Sequence, residues 1–330
     1  MTGTDSPVRV AVLGAGAVGS YFGGMLARSG VQVVLIARPA QVEAIRANGL
    51  FLDTVSFQER VAVEASTETS AARDAQVVLF CVKTTDTEGA ARSLAPYIAK
   101  DAIVVSLQNG VDNIARIRQA SGIDALPSVV YIAAALPEPG HVKHSGGGRL
   151  VVGEPAGYGG PSESSGLSRA ERVSSLFAAA EVPCSVSQDI EAELWRKFIM
   201  NCAGNAVTAI TQTSYARAAR NAPIRDVLGQ VIAETVGVAR ASGVRLPEVD
   251  FISQGLKFLE GVGSEATSST AQDLARGKRT EIDSLNGYVV RRGKELGIAT
   301  PANLTLFALV KLLEEKLVDQ RPASPQKAST

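Results

Sequence analysis

Near its N-terminal end the chain has a short apolar run that ends in a glycine-rich turn, and a helical pattern follows the turn. Residues 8–13 are apolar and rich in β-branched side chains, and the helical pattern after the turn continues to about Arg28. Gly30 stands in a position typical of a helix C-cap, and a second apolar run covers residues 31–37. The six residues of the turn are Gly14, Ala15, Gly16, Ala17, Val18 and Gly19. This order predicts a β-α-β unit of the dinucleotide-binding type.

Each glycine of the turn has a separate expected role. Gly14 permits the tight turn, Gly16 lets the backbone approach a pyrophosphate, and Gly19 allows the helix to pack closely on the strand. The phosphates would then lie at the helix N-terminus, where free N–H groups and the helix dipole favour an anion. We expect all six turn residues to contact a cofactor. The alternative is a glycine-rich turn without any ligand.

The end of the second apolar run indicates which dinucleotide would bind. Sites for NAD usually carry Asp or Glu at this point, where the carboxylate accepts hydrogen bonds from the ribose. Here the run ends in Ala37-Arg38, and no acidic residue follows before Glu43. The planar guanidinium of Arg38 suits the 2′-phosphate of NADP, so NADPH is the expected cofactor. A solvated surface arginine is the alternative.

Two more apolar runs, residues 75–82 and 102–107, lack polar alternation and predict buried parallel strands. Lys83 directly follows the first run, and Asn109 comes just after the second. Open α/β sheets bind ligands at the carboxyl ends of their strands. Both residues are therefore candidates for the cofactor site. The alternative, which is equally consistent with each residue considered alone, is an ordinary loop residue.

The pattern changes from alternating strands and helices to helices near Gln188. A helix is expected over 168–180 and a strand over 184–186, after a Gly-, Pro- and Ser-rich surface loop at 153–168. We therefore predict an N-terminal Rossmann-type doubly wound sheet over residues 1–188, an all-helical domain over 189–320, and a disordered tail over 321–330. Within the helical domain, helices are expected over 190–210 and 224–243. Another would begin at Thr280, with Asp283 as its capping-box partner, and a last one at Thr300-Pro301.

Composition excludes several function classes. Lys and Arg number 33 and Asp and Glu also number 33, so no basic surface for nucleic acid is expected. The three cysteines are far apart in the sequence, which indicates reduced thiols in a cytoplasmic protein and neither a disulfide framework nor a metal site. No apolar run reaches the roughly 18 residues that a membrane span needs, and no signal peptide is visible.

One expected helix carries a row of polar side chains among apolar ones. Lys197, Asn201, Asn205 and Thr208 are spaced 4, 4 and 3 residues apart, so they share one face of the helix. The helix is apolar on most of its other sides, which is typical of a buried helix. Solvent-facing rows favour long charged residues, and Asn is a poor helix former, so we interpret this row as lining a ligand-binding cleft. The alternative is a solvent face.

A carbonyl reductase needs a proton donor beside the carbonyl oxygen. The two histidines, His141 and His144, lie in a Gly-rich stretch with no residue to orient them, and we interpret both as surface residues. Lys197 is the better candidate, because partial burial would lower the pKa of its ammonium towards neutrality.

These features together give a resemblance that covers nearly the whole chain. The sequence resembles the ketopantoate reductase (2-dehydropantoate 2-reductase) family. The matching segments are residues 14–19, Val82-Lys83, Gln108-Asn109-Gly110, Glu193-Leu194-Trp195-Arg196-Lys197, Asn201, Asn205, Ser268-Ser269, Gln272-Asp273, Thr280-Glu281-Ile282-Asp283 and Asn286-Gly287.

The resemblance implies reduction of a 2-oxo acid to a 2-hydroxy acid with NADPH, which for the namesake is a step of pantothenate biosynthesis. It implies Lys197 as proton donor and a helical domain that faces the Rossmann domain across a cleft. The substrate-binding residues would be Asn109, Asn201, Asn205 and Ser269. The residues that contact the cofactor, or lie where it meets the substrate, would be Lys83, Asn109 and Glu281.

The chain departs from the family pattern at one position, where Tyr215 replaces a further substrate-binding Asn ten residues beyond Asn205. Residues 131–139, which would approach the nicotinamide, match only loosely. A reductase of a different 2-oxo acid on the same scaffold therefore stays open, and so does a non-catalytic NADPH-binding sensor. For the oligomeric state, a homodimer is the arrangement to test.

Overall fold

The computed structural model describes residues 8–155, 166–263 and 265–319, with side chains up to residue 317. The chain divides into two compact units, Met1–Leu194 and Trp195–Thr330. The first is a Rossmann-type α/β unit and the second is helical, as predicted from the sequence. The division between the two units falls near the start of the helix Ile190–Thr211, a few residues after Gln188. The domain boundary expected at Gln188 stays a prediction.

The first unit contains a ten-stranded sheet within the described residues. Its strands are β1 (Arg9–Leu13), β2 (Gln32–Ile36), β3 (Leu50–Asp53), β4 (Gln58–Val61), β5 (Glu64–Ser66), β6 (Val77–Phe80), β7 (Ile103–Ser106), β8 (Leu126–Glu138), β9 (His141–Val152) and β10 (Cys184–Val186). Its helices are α1 (Ala17–Arg28), α2 (Pro39–Asn48), α3 (Thr87–Leu94), α4 (Asn113–Ser121) and α5 (Arg169–Ala179). Short 3-10 helices cover Thr69–Ala72 and Thr84–Asp86.

The parallel part of the sheet has the strand order β5-β2-β1-β6-β7-β8 and is covered on both faces. Strand β1 shows why its sequence is continuously apolar. Val10 and Val12 belong to one hydrophobic cluster, and Ala11 and Leu13 belong to another. Since successive side chains of a strand point to opposite faces, both faces of β1 are buried. This doubly wound arrangement confirms the fold class and places the strand ends where a ligand would bind.

The sheet continues beyond the parallel part through a long antiparallel hairpin of β8 and β9, which sequence reasoning missed. Strand β3 pairs with β9 and β4 with β3, and β10 pairs with the other end of β9. The segment of β9 has the pattern of a Gly-rich stretch and not of a strand, because it contains Gly146, Gly147 and Gly148. These glycines have positive φ beside shifts in the strand register, so they form bulges within a strand.

The expectation that both histidines are surface residues is wrong. His144 lies in β9 with 6% exposure, and its ring contacts the Tyr21 ring with centroids 4.5 Å apart. His141 is partly buried, with Nε2 3.5 Å from Asp53 Oδ2 and its ring against Phe51. Pairing of β9 on both sides, with β8 and β3, places these side chains against other elements of the sheet unit.

The second unit consists of helices, and its described residues contain no strand. Helix α6 (Ile190–Thr211) enters it from the first unit and is followed by α7 (Tyr215–Arg220), α8 (Ala222–Ala241), α9 (Phe251–Gly261), α10 (Ser269–Ala275), α11 (Asn286–Leu296) and α12 (Pro301–Asp319). A 3-10 helix covers Ile282–Ser284. The helices expected over 190–210 and 224–243 and after Thr300 are confirmed.

The helix expected to begin at Thr280 begins instead at Asn286. Both the backbone N–H and the hydroxyl of Thr280 donate to Glu314 on α12, at 2.7 and 2.6 Å. Asp283 accepts from Lys311 at 3.1 Å. These bonds to α12 tie both expected capping residues to another element, so the backbone forms a 3-10 turn before α11. The expected tail over 321–330 and most of the 153–168 loop lie outside the described residues.

Candidate active site

The glycine turn lies between the ends of three parallel strands. Gly14 has φ +95, and a Cβ there would lie 2.7 Å from the backbone nitrogen of Val82, just after β6. The N–H groups of Gly14 and Ala15 both donate to the Ile36 carbonyl oxygen at 3.0 Å, at the end of β2. The tight turn at position 14 therefore requires glycine, both for its backbone angle and for the lack of space.

The other two glycines differ sharply in their surroundings. A Cβ at Gly19 would lie 2.6 Å from the Gly14 carbonyl oxygen and 2.9 Å from a Val12 methyl carbon, so α1 approaches β1 as closely as expected. A Cβ at Gly16 would meet no atom within 4 Å. Gly16 is the N-cap residue of α1 and makes no side-chain cap. The N–H groups of Ala17 and Val18 in the first helical turn have no intrahelical acceptor, which suits them to bind an anion.

Arg38 is exposed at the carboxyl end of β2, where it is the N-cap residue of α2. Pro39 begins that helix and fixes the direction in which the chain leaves the strand. Two N–H groups of the glycine turn donate to the carbonyl oxygen of Ile36. Arg38 comes only two residues after Ile36 in the chain, so it lies near the turn. The structure thus brings Arg38 and the turn together at one edge of the sheet.

The loops after β6 and β7 are joined by hydrogen bonds around Asn109. The Asn109 carbonyl oxygen accepts from Thr84 Oγ1 at 3.3 Å and from Asn113 Nδ2 at 2.6 Å. The side chain of Gln108 donates to the Val82 carbonyl oxygen at 3.1 Å. Lys83 is exposed between these partners, and Asn109 is half-buried. Lys83 and Asn109 therefore lie on adjoining loops beside the glycine turn, whose Gly14 contacts Val82.

The polar row on α6 is not simply a solvent face. Lys197 and Asn201 are half-buried, Asn205 is 3% exposed, and Thr208 is fully buried. An aromatic cluster packs beside the start of the row, in which Phe198 contacts both Trp195 and Tyr288 with ring centroids 5.3 and 5.7 Å apart. Such burial of an amide in mid-helix requires polar partners.

Burial lowers the pKa of Lys197 to about 8, and the negative charge of Glu281 opposes that shift. Glu281 precedes the 3-10 helix at Ile282–Ser284, so the fold brings it close to α6. An amine with this pKa is charged at neutral pH and gives up its proton readily. Lys197, with Glu281 nearby, therefore places on the row an amine that could transfer a proton to a ligand.

The far end of the row forms a hydrogen-bonded group with two residues from other segments. Tyr215 Oη donates to Asn205 Oδ1 at 2.8 Å, and the Ser268 hydroxyl donates to the Asn205 carbonyl oxygen at 3.2 Å. Thr208 Oγ1 bonds Ser268 Oγ at 2.7 Å. Ser268 is the N-cap of α10, while Ser269 next to it is exposed. Sequence reasoning missed this bonding of Tyr215 and Ser268 to Asn205, since only the tertiary fold reveals it.

Helix α6 is also held from behind by a buried polar chain. Asn286 Nδ2 donates to the Cys202 carbonyl oxygen at 3.0 Å and to Asn303 Oδ1 at 2.9 Å. Glu234 accepts from the side chain of Asn303 at 2.8 Å and from two N–H groups at the start of α12. These bonds fix the middle of α6, and with it the position of the polar row.

Two further properties concern ligands and membranes. Over the described parts of the chain, no group of three His, Cys, Asp or Glu side chains is placed to hold a metal ion. None of the described helices is long and apolar enough to span a membrane.

Comparison with known proteins gives matches along both units. The family model described as ketopantoate reductase PanE/ApbA matches residues 10–157, and that of its C-terminal domain matches residues 189–314. A 2-dehydropantoate 2-reductase from Archaeoglobus fulgidus is 36% identical over 309 residues, 94% of this chain and 99% of that protein. One from Halobacterium salinarum is 33% identical over 93% of this chain and 99% of its own. The crystal structure of a PanE/ApbA family ketopantoate reductase from Ralstonia eutropha is 48% identical, with a TM-score of 0.85, and covers 94% of this chain and all of that one.

Proposed function

The chain belongs to the ketopantoate reductase family, and from that membership we propose that it reduces a 2-oxo acid to a 2-hydroxy acid with NADPH. The first-choice substrate is 2-dehydropantoate, the substrate in the names of the relatives from Archaeoglobus and Halobacterium. The observation that carries the proposal is a lysine of lowered pKa, Lys197, on the same helix face as Asn201 and Asn205.

The residues of the first unit fit a dinucleotide phosphate. Open space at Gly16 would admit a pyrophosphate, and the N–H groups of Ala17 and Val18 would donate to it. Exposed Arg38 would bind the 2′-phosphate that distinguishes NADPH from NADH. Lys83 and Asn109 would contact the cofactor from the loops after β6 and β7, with Asn109 also reaching the substrate. When bound, the nicotinamide supplies the hydride.

The residues of the second unit would bind the substrate and protonate it. Asn201 and Asn205 would donate hydrogen bonds to oxygen atoms of the 2-oxo acid, and Ser269 would bind it from the start of α10. Lys197 would hold its proton against the carbonyl oxygen and transfer it as negative charge develops there. Glu281 would keep Lys197 charged until that moment, because its carboxylate raises the pKa of the ammonium.

One observation favours a second candidate substrate class. The bulky phenol of Tyr215 lies beside Asn205 and hydrogen-bonds to it. The alternative substrate, for the same type of reaction, is therefore a 2-oxo acid whose side chain differs from that of 2-dehydropantoate. A non-catalytic NADPH sensor is a weaker alternative. A sensor has no need of a lysine whose pKa is lowered to about 8 beside two amides.

The proposal is tested by following NADPH oxidation across a panel of 2-oxo acids that includes 2-dehydropantoate, 2-oxoisovalerate, pyruvate and phenylglyoxylate. We expect a clear maximum in kcat/KM for one member, with formation of the corresponding 2-hydroxy acid. A maximum for another acid would support the second candidate. Tight NADPH binding without turnover of any member would contradict the reductase and favour the sensor.

A further inference from the structure

The phenol of Tyr215 fixes the side chain of Asn205. Tyr215 is the first residue of α7, and its hydroxyl donates to Asn205 Oδ1 at 2.8 Å. The Ser268 hydroxyl is a second hydrogen-bonding partner of the phenol. The oxygen of the Asn205 side chain is therefore engaged inside the helical unit.

The ring of Tyr215 packs closely on α6 because Gly204 has no side chain. A Cβ at Gly204 would lie 2.6 Å from Tyr215 Cε1, so the ring lies directly on the helix backbone. The backbone N–H of Tyr215 also donates to the Ala266 carbonyl oxygen at 3.1 Å. The position of the hydroxyl is thus set by packing and by the backbone, as well as by its own hydrogen bond.

An amide side chain has an acceptor end and a donor end, and rotation by half a turn exchanges them. Because Oδ1 of Asn205 accepts from Tyr215, the NH₂ group is the end that remains to bind a ligand. Without the phenol, either end could face the ligand, and the acceptor end would repel a carboxylate.

We propose that Tyr215 is a positioning residue that makes Asn205 a hydrogen-bond donor only, so that the site selects ligands with an acceptor oxygen, such as the carboxylate or oxo group of a 2-oxo acid. The inference rests on the proposed function. Burial raises the pKa of Tyr215, which keeps the phenol protonated and able to donate over the whole working range.

The first test is Tyr215→Phe, which keeps the ring and removes the hydroxyl. One neutral hydrogen bond is lost, so KM for the preferred 2-oxo acid should rise about three- to tenfold. We expect kcat and KM for NADPH to stay within about twofold of wild type, because the change concerns the orientation of one substrate-binding amide. The matched control is Tyr97→Phe in the first unit, whose ring lies over Arg73 and keeps that contact as Phe.

The second test asks whether Tyr215 acts through Asn205. In a double-mutant cycle, Tyr215→Phe should have no further effect on KM in the Asn205→Ala background. If the two effects multiply, Tyr215 acts independently of Asn205 and the inference is overturned. Asn205→Asp gives a check that does not depend on the Phe variant, because it keeps the acceptor for Tyr215 and replaces the donor NH₂ by an oxygen. It should weaken ligand binding at least tenfold, and normal binding would overturn the inference.

The third test separates this inference from the proposed function by measuring binding without turnover. Oxamate, a stable analogue of a 2-oxo acid, is titrated into the protein with NADPH present, and binding is followed by the fluorescence of the single tryptophan, Trp195. Its affinity should fall about three- to tenfold in Tyr215→Phe. If no 2-oxo acid is reduced but oxamate binding depends on Tyr215 in this way, the proposed function fails and the inference stands. If oxamate does not bind, or binds both proteins equally, the inference is overturned.

Discussion

Glu281 opposes the effect of burial on Lys197: its carboxylate raises the pKa of the ammonium, while desolvation lowers it to about 8. The two residues come from different parts of the chain, one on α6 and the other just before the 3-10 helix at Ile282–Ser284. Their balance leaves an amine that is mostly charged at pH 7 and loses its proton about one pH unit higher. A general acid works best when its pKa lies near the operating pH, and Lys197 meets that condition.

The first prediction concerns Lys197→Ala. General acid catalysis is typically worth about 10²–10⁴ in rate, so kcat should fall by at least a hundredfold in steady-state NADPH oxidation. NADPH affinity should stay within a few-fold, because the expected cofactor-binding residues are mostly in the first unit. Lys197→Arg should not restore turnover, since a guanidinium keeps its proton at any working pH.

The control for this prediction is Lys257→Ala, which removes an exposed lysine from α9 and should leave kcat unchanged. A folded Lys197→Ala protein with kcat within threefold of wild type would show that another group protonates the substrate.

The second prediction is a pH profile. Lys197 must carry its proton to act as an acid, so kcat/KM for reduction should fall as pH rises through about 8. Glu281→Gln removes the charge that raises the pKa of Lys197, and the fall should therefore begin at lower pH in that variant. Glu191→Gln, at an exposed position in the first turn of α6, is the matched control and should keep the wild-type profile. If Glu281→Gln keeps the wild-type pH profile, the fall in kcat/KM at high pH does not come from deprotonation of Lys197.

Much of the first unit could be predicted because its signals are local. The turn at Gly14 and Gly19 depends on neighbours that follow within a β-α-β unit, and continuous apolar runs identify strands buried on both faces. The β8–β9 hairpin was missed because its pairing partners are distant and its glycines at bulges look like loop residues. His144 shows the consequence, since only the pairing of β9 buries it.

The polar row was predictable for a similar reason, as helical spacing alone places Lys197, Asn201 and Asn205 on one face. Their partners could not be found in this way. Glu281, Tyr215 and Ser268 reach α6 through the packing of other helices, and no periodicity in the sequence encodes those contacts. The prediction of a helix start at Thr280 was wrong for the same reason, because Thr280 donates its hydrogen bonds to Glu314 on α12.

The third prediction compares two glycines of the turn. Gly16→Ala should fold with a melting temperature close to wild type, since its Cβ would meet no atom within 4 Å. NADPH affinity should nevertheless fall at least tenfold, because the methyl group would occupy the space through which a pyrophosphate approaches the backbone. Gly19→Ala should instead destabilise the protein by about 1–3 kcal/mol, since its Cβ would lie 2.6 Å from the Gly14 carbonyl oxygen.

Thermal unfolding and NADPH titration distinguish the two variants. Gly89→Ala on α3, where an added Cβ also meets nothing, is the control and should alter neither cofactor binding nor kcat. Wild-type NADPH affinity in Gly16→Ala would mean that the cofactor does not approach the turn at this residue.

The fourth prediction concerns cofactor choice at Arg38. This side chain is exposed at the end of β2, where an acidic residue would bind the ribose of NADH. A charged hydrogen bond to the 2′-phosphate is worth roughly 1.5–3 kcal/mol when formed, and exposure reduces that value, so Arg38→Ala should raise KM for NADPH about tenfold. KM for NADH should stay within about twofold, because NADH has no phosphate there. Arg245→Ala removes an exposed arginine from the helical unit and should leave both constants unchanged. Equal losses for the two cofactors, or a wild-type preference for NADH, would refute the assignment of Arg38 to the 2′-phosphate. The salt dependence of NADPH binding gives an independent check, because loss of the charge at position 38 should make that dependence weaker in the variant than in the wild type.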